Sequence, residues 1–353
     1  MKKHRKGIDI ISQLPDEILI RILSLLPAAD ITRSRILSNR WKHLWAFLPN
    51  LHLVMPRFEE QVKKFNDSVD QTLALRDGMP IQKLYLQCSC GGNNNRVNDW
   101  FRVVSQSQVE EIEYRFLADD TNDIRFHLDL SITFNTLIKL TLEGVALVIP
   151  KVGIPFPCLK KLNLQFTQHH YKHSLTKLIS RCPVLEELCL DRPGLTCKSR
   201  IIKLRSRSMR RLTIERCEFK DQKLVIDAPK LEYFHFFACY FRKYTLKSTT
   251  SLVEAYISKA RYHSIVKLLR CVSFTKILTL TRESLMALGT MWGITLPMFP
   301  NLVKLEVPWL ETLLLILLQN MPNLEYLTFS DEYLPFIMGY NIPNGGGTCL
   351  SSF

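Results

Sequence analysis

Short segments in which apolar and polar residues alternate recur along most of the chain, each with a further apolar residue three positions ahead of it. CPVLEELCL shows the arrangement most plainly, with Leu185, Leu188 and Leu190 carrying it. The same spacing starts at Ile81, Val109, Leu137, Leu159, Met209, Leu231, Leu252, Leu302 and Leu324, and a weaker copy starts at Thr275. Successive starts lie 21 to 28 residues apart, about 24 on average. Alternation with period two describes a short strand with one buried face.

One such unit cannot bury its apolar face alone, but a stack of units makes a continuous core. A period of roughly 20–29 residues is that of leucine-rich repeats, and Cys217 and Cys239 stand at the ninth position, where those repeats place asparagine or cysteine. Ordinary strand–helix alternation in a globular α/β domain has no reason to hold eleven copies within so narrow a window. Between the copies the pattern turns helical. Leu175, Leu178, Ile179 and Cys182 share one face, ETLLLILLQNMP stops at Pro322, and Val62, Phe65, Val69 and Leu73 line a third helix ahead of Gly78.

Where the leucines of a strand face the core, the third, fifth and seventh positions of each copy face the opposite, concave surface. Most of these are polar, as in Lys161, Asn163 and Gln165. Tyr233, His235, Phe237 and Tyr256 instead put rings on adjacent strands, with Arg211 and Glu254 beside them. That composition is the one expected of a target-binding hot spot, anchored by Tyr233, Phe237 and Tyr256. The competing reading tucks Phe237 and Tyr256 under a loop or a further C-terminal module.

Ahead of the repeats, residues 9–53 carry a different pattern. Pro15 suits a first helical position, and Asp16 and Glu17 suit the positive end of a helix dipole. Ile18, Leu19, Ile22, Leu23, Leu25 and Leu26 then make a broad apolar stripe that Pro27 stops. Asp30 is placed to cap a second helix with Ile31, Ser34 and Leu37, and Ser38 a third with Trp41, Leu44, Trp45 and Leu48. So short a unit cannot bury three apolar helices by itself. Either it caps the solenoid or it docks a partner.

The order LPD, then LSLLP, then LSNRWKHLW within LPDEILIRILSLLP and SRILSNRWKHLW resembles the F-box of plant F-box proteins with leucine-rich repeats. The likeness extends through FNDSVDQTLALR and CPVLEELCL to MPNLEYLTF. It implies an α/β chain with a three-helix F-box over residues 1–56, a helical linker over 57–80, and a curved repeat solenoid with one parallel sheet of about ten or eleven strands over 81–335. It implies a non-enzymatic substrate receptor without cofactor. The F-box would dock a Skp-type adaptor of a cullin–RING ubiquitin ligase through Leu14, Pro15, Ile18, Ile22, Ile31, Leu37 and Trp41, and the repeats would hold a target protein. Arg35 replaces a residue that is usually small there, and Asn39 a usual lysine. The tail 336–353, with its CLSS stretch, resembles the start of an FBD module that stops short.

Composition narrows the field of functions. The net charge of +14 favours acidic partners and leaves nucleic-acid binding as the second reading. The basic run KSRIIKLRSRSMRR would serve it, though a solvated edge between coils is the preferred account. KKHRK is a short basic run that suits nuclear import only weakly, and the expected compartment is cytoplasmic, nuclear or both. Glycine is scarce, and no phosphate-binding loop, GxSxG or HExxH occurs. The ten cysteines form no CxxC pair and read as small buried apolar groups. HHYKH lacks the carboxylate or thiol company of a metal site. No apolar run approaches the ~20 residues of a membrane span, and no secretory leader is expected.

Overall fold

The alternating segments form parallel strands stacked side by side. The computed structural model describes residues 11–330 apart from 35, 39, 57–58, 77, 90–93, 118–126, 130, 149–155, 168–173, 194–199, 248–249, 259–261, 290–294 and 310. In chain order the strands are β1 (Asn50–Val54), β2 (Lys83–Ser89), β3 (Glu111–Leu117), β4 (His127–Asp129), β5 (Lys139–Glu143), β6 (Ala146–Val148), β7 (Lys161–Gln165), β8 (Glu187–Asp191), β9 (Ile201–Arg205), β10 (Arg211–Glu215), β11 (Glu218–Asp227), β12 (Tyr233–Phe237), β13 (Tyr240–Lys247), β14 (Glu254–Ser258), β15 (Ile277–Leu280), β16 (Lys304–Val307) and β17 (Tyr326–Phe329). The helices are α1 (Asp16–Ser24), α2 (Ala28–Ser34), α3 (Trp41–Leu44), α4 (Glu59–Leu75), α5 (Asn94–Gln106), α6 (Ser174–Ser180), α7 (Tyr262–Cys271), α8 (Arg282–Gly289) and α9 (Glu311–Leu318).

The principal sheet has twelve strands, one per coil, in the order β1-β2-β3-β5-β7-β8-β10-β12-β14-β15-β16-β17. Its register runs unbroken through the repeat positions. Leu140, Leu162, Leu188, Leu212, Phe234, Ala255, Leu278 and Leu305 fall in one row, and every one is buried. Each large side chain in such a row contributes roughly 2 kcal/mol of burial. The stack makes one continuous core from Leu51 to Met321.

Two features differ from the sequence expectation. The sheet begins inside the N-terminal unit rather than at Ile81, because Leu48, Leu51 and Leu53 already carry the repeat spacing. The long helix α4 then separates β1 from the next strand, which hides this copy from the period. The parallel sheet is also not the only one. β13-β11-β9 form a second, three-stranded parallel sheet on the outer side, and β4-β6 a short pair. In these coils the returning segment alternates with period two, as Ile202 and Leu204 or Leu224 and Ile226 are buried while their neighbours are not, so it makes strands where other coils make helices.

The N-terminal helices also depart in detail. α2 starts at Ala28, so Asp30 lies in its first turn rather than capping it, and Arg33 Nη1 donates to its Oδ1 at 3.0 Å. α3 lasts a single turn and runs on as a 3-10 turn over Trp45–Phe47. Leu48 is extended, as the residue before Pro49 must be.

Candidate functional site

Leu19 and Leu23 of α1 are wholly buried against Trp41, Leu44 and Leu48. Leu14, Ile20, Ile22, Ile31 and Trp45 close around this small core. Arg40 Nε donates to Asp16 Oδ1 at 2.8 Å and ties the start of α1 to α3. Outside the core, apolar side chains stand in water: Ile18 is 43% exposed, Leu25 80%, Leu37 59% and Ile36 87%. Leu14, Ile18, Ile22 and Leu25 are spaced to lie along one flank of the helix. Pro15 is exposed at its start.

Of the residues expected to meet a partner, Pro15, Ile18 and Leu37 lie open, and Leu14, Ile22 and Ile31 sit half-buried at the border. Trp41 does not belong to that surface. It is 3% exposed, because Trp41, Leu44 and Leu48 turn together onto α1. Leu25 and Ile36 lie outside the expected contact set. Leu25 was legible as the continuation of the α1 stripe, whereas Ile36 follows no period. Arg35 and Asn39 lie outside the described residues.

The open face of the principal sheet carries three rows of side chains. The first runs Lys83, Glu111, Lys139, Lys161, Glu187, Arg211, Tyr233, Glu254. The middle row runs Tyr85, Glu113, Thr141, Asn163, Cys189, Thr213, His235, Tyr256. The expected residues Arg211, Tyr233, His235, Phe237, Glu254 and Tyr256 are thus brought together on β10, β12 and β14. His235 and Tyr256 stack face to face, with centroids 4.4 Å apart and planes 2° from parallel. The Arg211 guanidinium lies over the Tyr233 ring at 4.1 Å. Tyr233 and Phe237 flank His235 on β12 at 6.4 Å each. All four rings are half-buried rather than covered.

The third row behaves differently from a plain exposed face. Asp191 is buried and held by Arg216, whose Nε donates to Oδ1 at 2.7 Å. The same carboxylate holds the Arg216 guanidinium above its ordinary pKa. Burial raises the Glu215 carboxyl and lowers His235. Arg192 lies 3.6 Å above the Phe166 ring on the same rim. Burial also pushes the thiols of Cys88 and Cys182 up to about 12, so both stay protonated at neutral pH. Among the described residues Cys158 is exposed, against the expectation of burial. No cluster of metal-ligating side chains occurs among the described residues, and the HHYKH histidines lie outside them.

Residues 11–53 match the F-box domain family. Residues 97–260 match the repeats of the family described as FBD-associated F-box protein At5g56370, LRR repeats. The F-box/LRR-repeat protein At2g42720 of Arabidopsis thaliana is 33% identical over 98% of this chain and 82% of its own length. The chain belongs to the F-box/LRR-repeat family. A second Arabidopsis thaliana relative, F-box/LRR-repeat protein At3g59190, is 30% identical over 91% of the chain and 92% of its own length. The F-box/FBD/LRR-repeat protein At1g78750, from the same plant, is 28% identical over 96% and 81%. In this F-box/LRR-repeat chain the exposed apolar flank of α1 falls within the F-box match. The stacked rings of β12 and β14 fall within the repeat match.

Proposed function

We propose that the chain is the substrate-recognition subunit of a Skp–cullin–F-box ubiquitin ligase and has no catalytic machinery of its own. The F-box docks a Skp-type adaptor, and through it a cullin, while the open sheet face holds a target protein. One observation supports this above the rest: Ile18, Leu25, Ile36 and Leu37 stand exposed on a small helical unit. Covering each with a partner helix returns roughly 1–2 kcal/mol. The chain then contributes proximity, raising the concentration of a target lysine near the transfer site. Its compartment is the cytoplasm, the nucleus or both.

A second reading rests on charge. α6, β9, β13 and α7 carry eight lysines and arginines on the outer side of the solenoid. β11, between β9 and β13, adds Lys220 and Lys223 but also Glu218, Asp221 and Asp227, the last paired with Arg205 at 3.3 Å. Phosphate binding there would weaken steeply with salt, whereas apolar docking would not. The test is immunoprecipitation of the full chain from plant cells at raised salt. The ligase reading expects cullin in the precipitate, and its loss when Leu14 and Pro15 are both changed to Ala. Cullin absent from the wild-type precipitate, or retained by the double variant, would refute it.

A further inference from the structure

The rows on β5, β7, β8 and β10 enclose a depression of about 190 Å³ on the open face. Its floor is made of short side chains, Thr141, Asn163, Cys189 and Thr213. One wall holds Lys139, Lys161 and Arg211 with a single carboxylate, Glu187, between them. Lys161 Nζ reaches Glu187 at 3.0 Å. Lys139 shares Glu111 with Lys83, at 3.9 Å against 2.9 Å for Lys83. Among the described residues no carboxylate lies within ion-pair distance of Arg211, which rests on Tyr233 instead. The wall therefore holds surplus positive charge. The opposite rim does not, because its carboxylates Glu143, Asp191 and Glu215 are matched by Arg115, Arg192 and Arg216.

The floor adds a second requirement. The Asn163 Oδ1 is buried without a hydrogen-bond partner among the described residues. A side-chain amide presents both an acceptor and two donors, and rotation about its last bond exchanges which of them faces the depression. An occupant that carries both N–H and C=O groups can satisfy it in either orientation. A peptide backbone does so, whereas an inorganic anion without a proton offers no donor. Three strand steps from Asn163, about 14 Å along the sheet, stands His235, with Tyr256 stacked on it from the next strand. An extended peptide covers about 3.3 Å per residue and returns to the same face at every second position. Four residues therefore span the distance and bring the second side chain back to the sheet.

We propose that this groove takes an extended segment of the target with an acidic side chain among Lys139, Lys161 and Arg211 and an aromatic side chain four positions away on the His235–Tyr256 stack. The segment crosses the strands, its backbone meets Asn163, and specificity lies in the sign of the charge and in the spacing. The assignment rests on the reading of the open face as the target site and gives that site a ligand chemistry.

The experiment uses the full chain bound to its Skp-type adaptor. The probes are fluorescein-labelled serine-rich peptides with glutamate and tryptophan four positions apart, followed by fluorescence anisotropy. Counterparts carry lysine in place of glutamate, or tryptophan two positions nearer. The glutamate probe is expected to bind at least tenfold more tightly than either counterpart. Arg211→Glu combined with Lys161→Glu should reverse the order of the glutamate and lysine probes, and Tyr256→Ala should weaken both. Equal binding of the charged pair, no binding by the glutamate probe, or a preference that survives the double reversal would overturn the assignment. Displacement of the probe by inorganic phosphate would make the depression a small-anion site and equally overturn it. Adaptor binding is scored on the same samples, so a chain that loses the adaptor but keeps the probe contradicts the ligase reading alone.

Discussion

The Arg76 guanidinium donates to the carbonyl of Leu48 at 2.7 Å, joining the end of α4 to the end of the F-box helices. The same group also donates to the carbonyls of Ala46 and Pro80. Arg76 is buried, and burial lowers its pKa to about 10, which still leaves it charged at neutral pH. Trp45 packs against both the F-box core and the repeat core beside it. Arg76 and Trp45, together with the pairing of β1 on β2, thus fix the F-box to the first coil.

Replacing that cation tests how firmly the two parts are joined. Arg76→Met leaves buried carbonyls without donors, each worth about 1–3 kcal/mol. The expected loss is about 3 kcal/mol in urea unfolding. A change below about 1 kcal/mol would show that Trp45 and its neighbours suffice.

A ladder of left-handed residues closes the strand ends. Gly144, Phe166, Arg192, Arg216 and Ala238 follow β5, β7, β8, β10 and β12 with φ of 71°, 48°, 45°, 49° and 51°. At Gly144 a Cβ would stand 2.1 Å from the Phe116 carbonyl oxygen. Gly144→Ala is expected to cost more than about 3 kcal/mol, since backbone must move as well as strain be borne. Ala238→Gly relieves left-handed strain of about 1–2 kcal/mol and loses about 0.4–1 kcal/mol to the freer unfolded chain. Thermal unfolding of the two variants should move in opposite directions, the first down and the second slightly up.

His235 sets a pH dependence on the open face. Burial lowers its pKa below 6.5, so between the two values the unfolded chain binds the extra proton. Stability from this group is therefore present at neutral pH and falls as the solution becomes more acid than about 6.5. Among the described residues its charged or titratable neighbours are Glu215, 3.5 Å away, Tyr233, whose hydroxyl is 3.4 Å from Nδ1, and Tyr256, stacked on its ring. Glu215, with its pKa raised above 4.5, acts in the opposite sense at lower pH. His235→Phe should flatten the urea midpoint between pH 6.5 and the onset of Glu215 protonation, and an unchanged slope would remove His235 as the cause.

Much of this architecture is written locally. Leu162 and Leu164 point inward and Lys161, Asn163 and Gln165 outward, as period two demands. The same rule puts the rings of β12 and β14 on one face. It failed where a partner from another coil decides the outcome. Asp191 occupies an outward position yet is buried, because Arg216 from the next coil folds over it. β1 was hidden by the length of α4, although Leu48, Leu51 and Leu53 carry the spacing. Trp41 could not be told from a surface contact by periodicity, since the choice of face depends on where α1 packs.

The most direct measurement is a calorimetric titration of the purified full chain with a purified Skp-type adaptor. The account expects saturable binding by the wild type and a loss of at least tenfold for Ile18→Asp, which places a charge in the exposed stripe without touching the Leu19–Leu23 core. Arg211→Glu, on the far sheet face, should bind the adaptor as the wild type does. No binding by the wild type, or full affinity in Ile18→Asp, would contradict the assignment of the exposed flank of α1 as the docking surface.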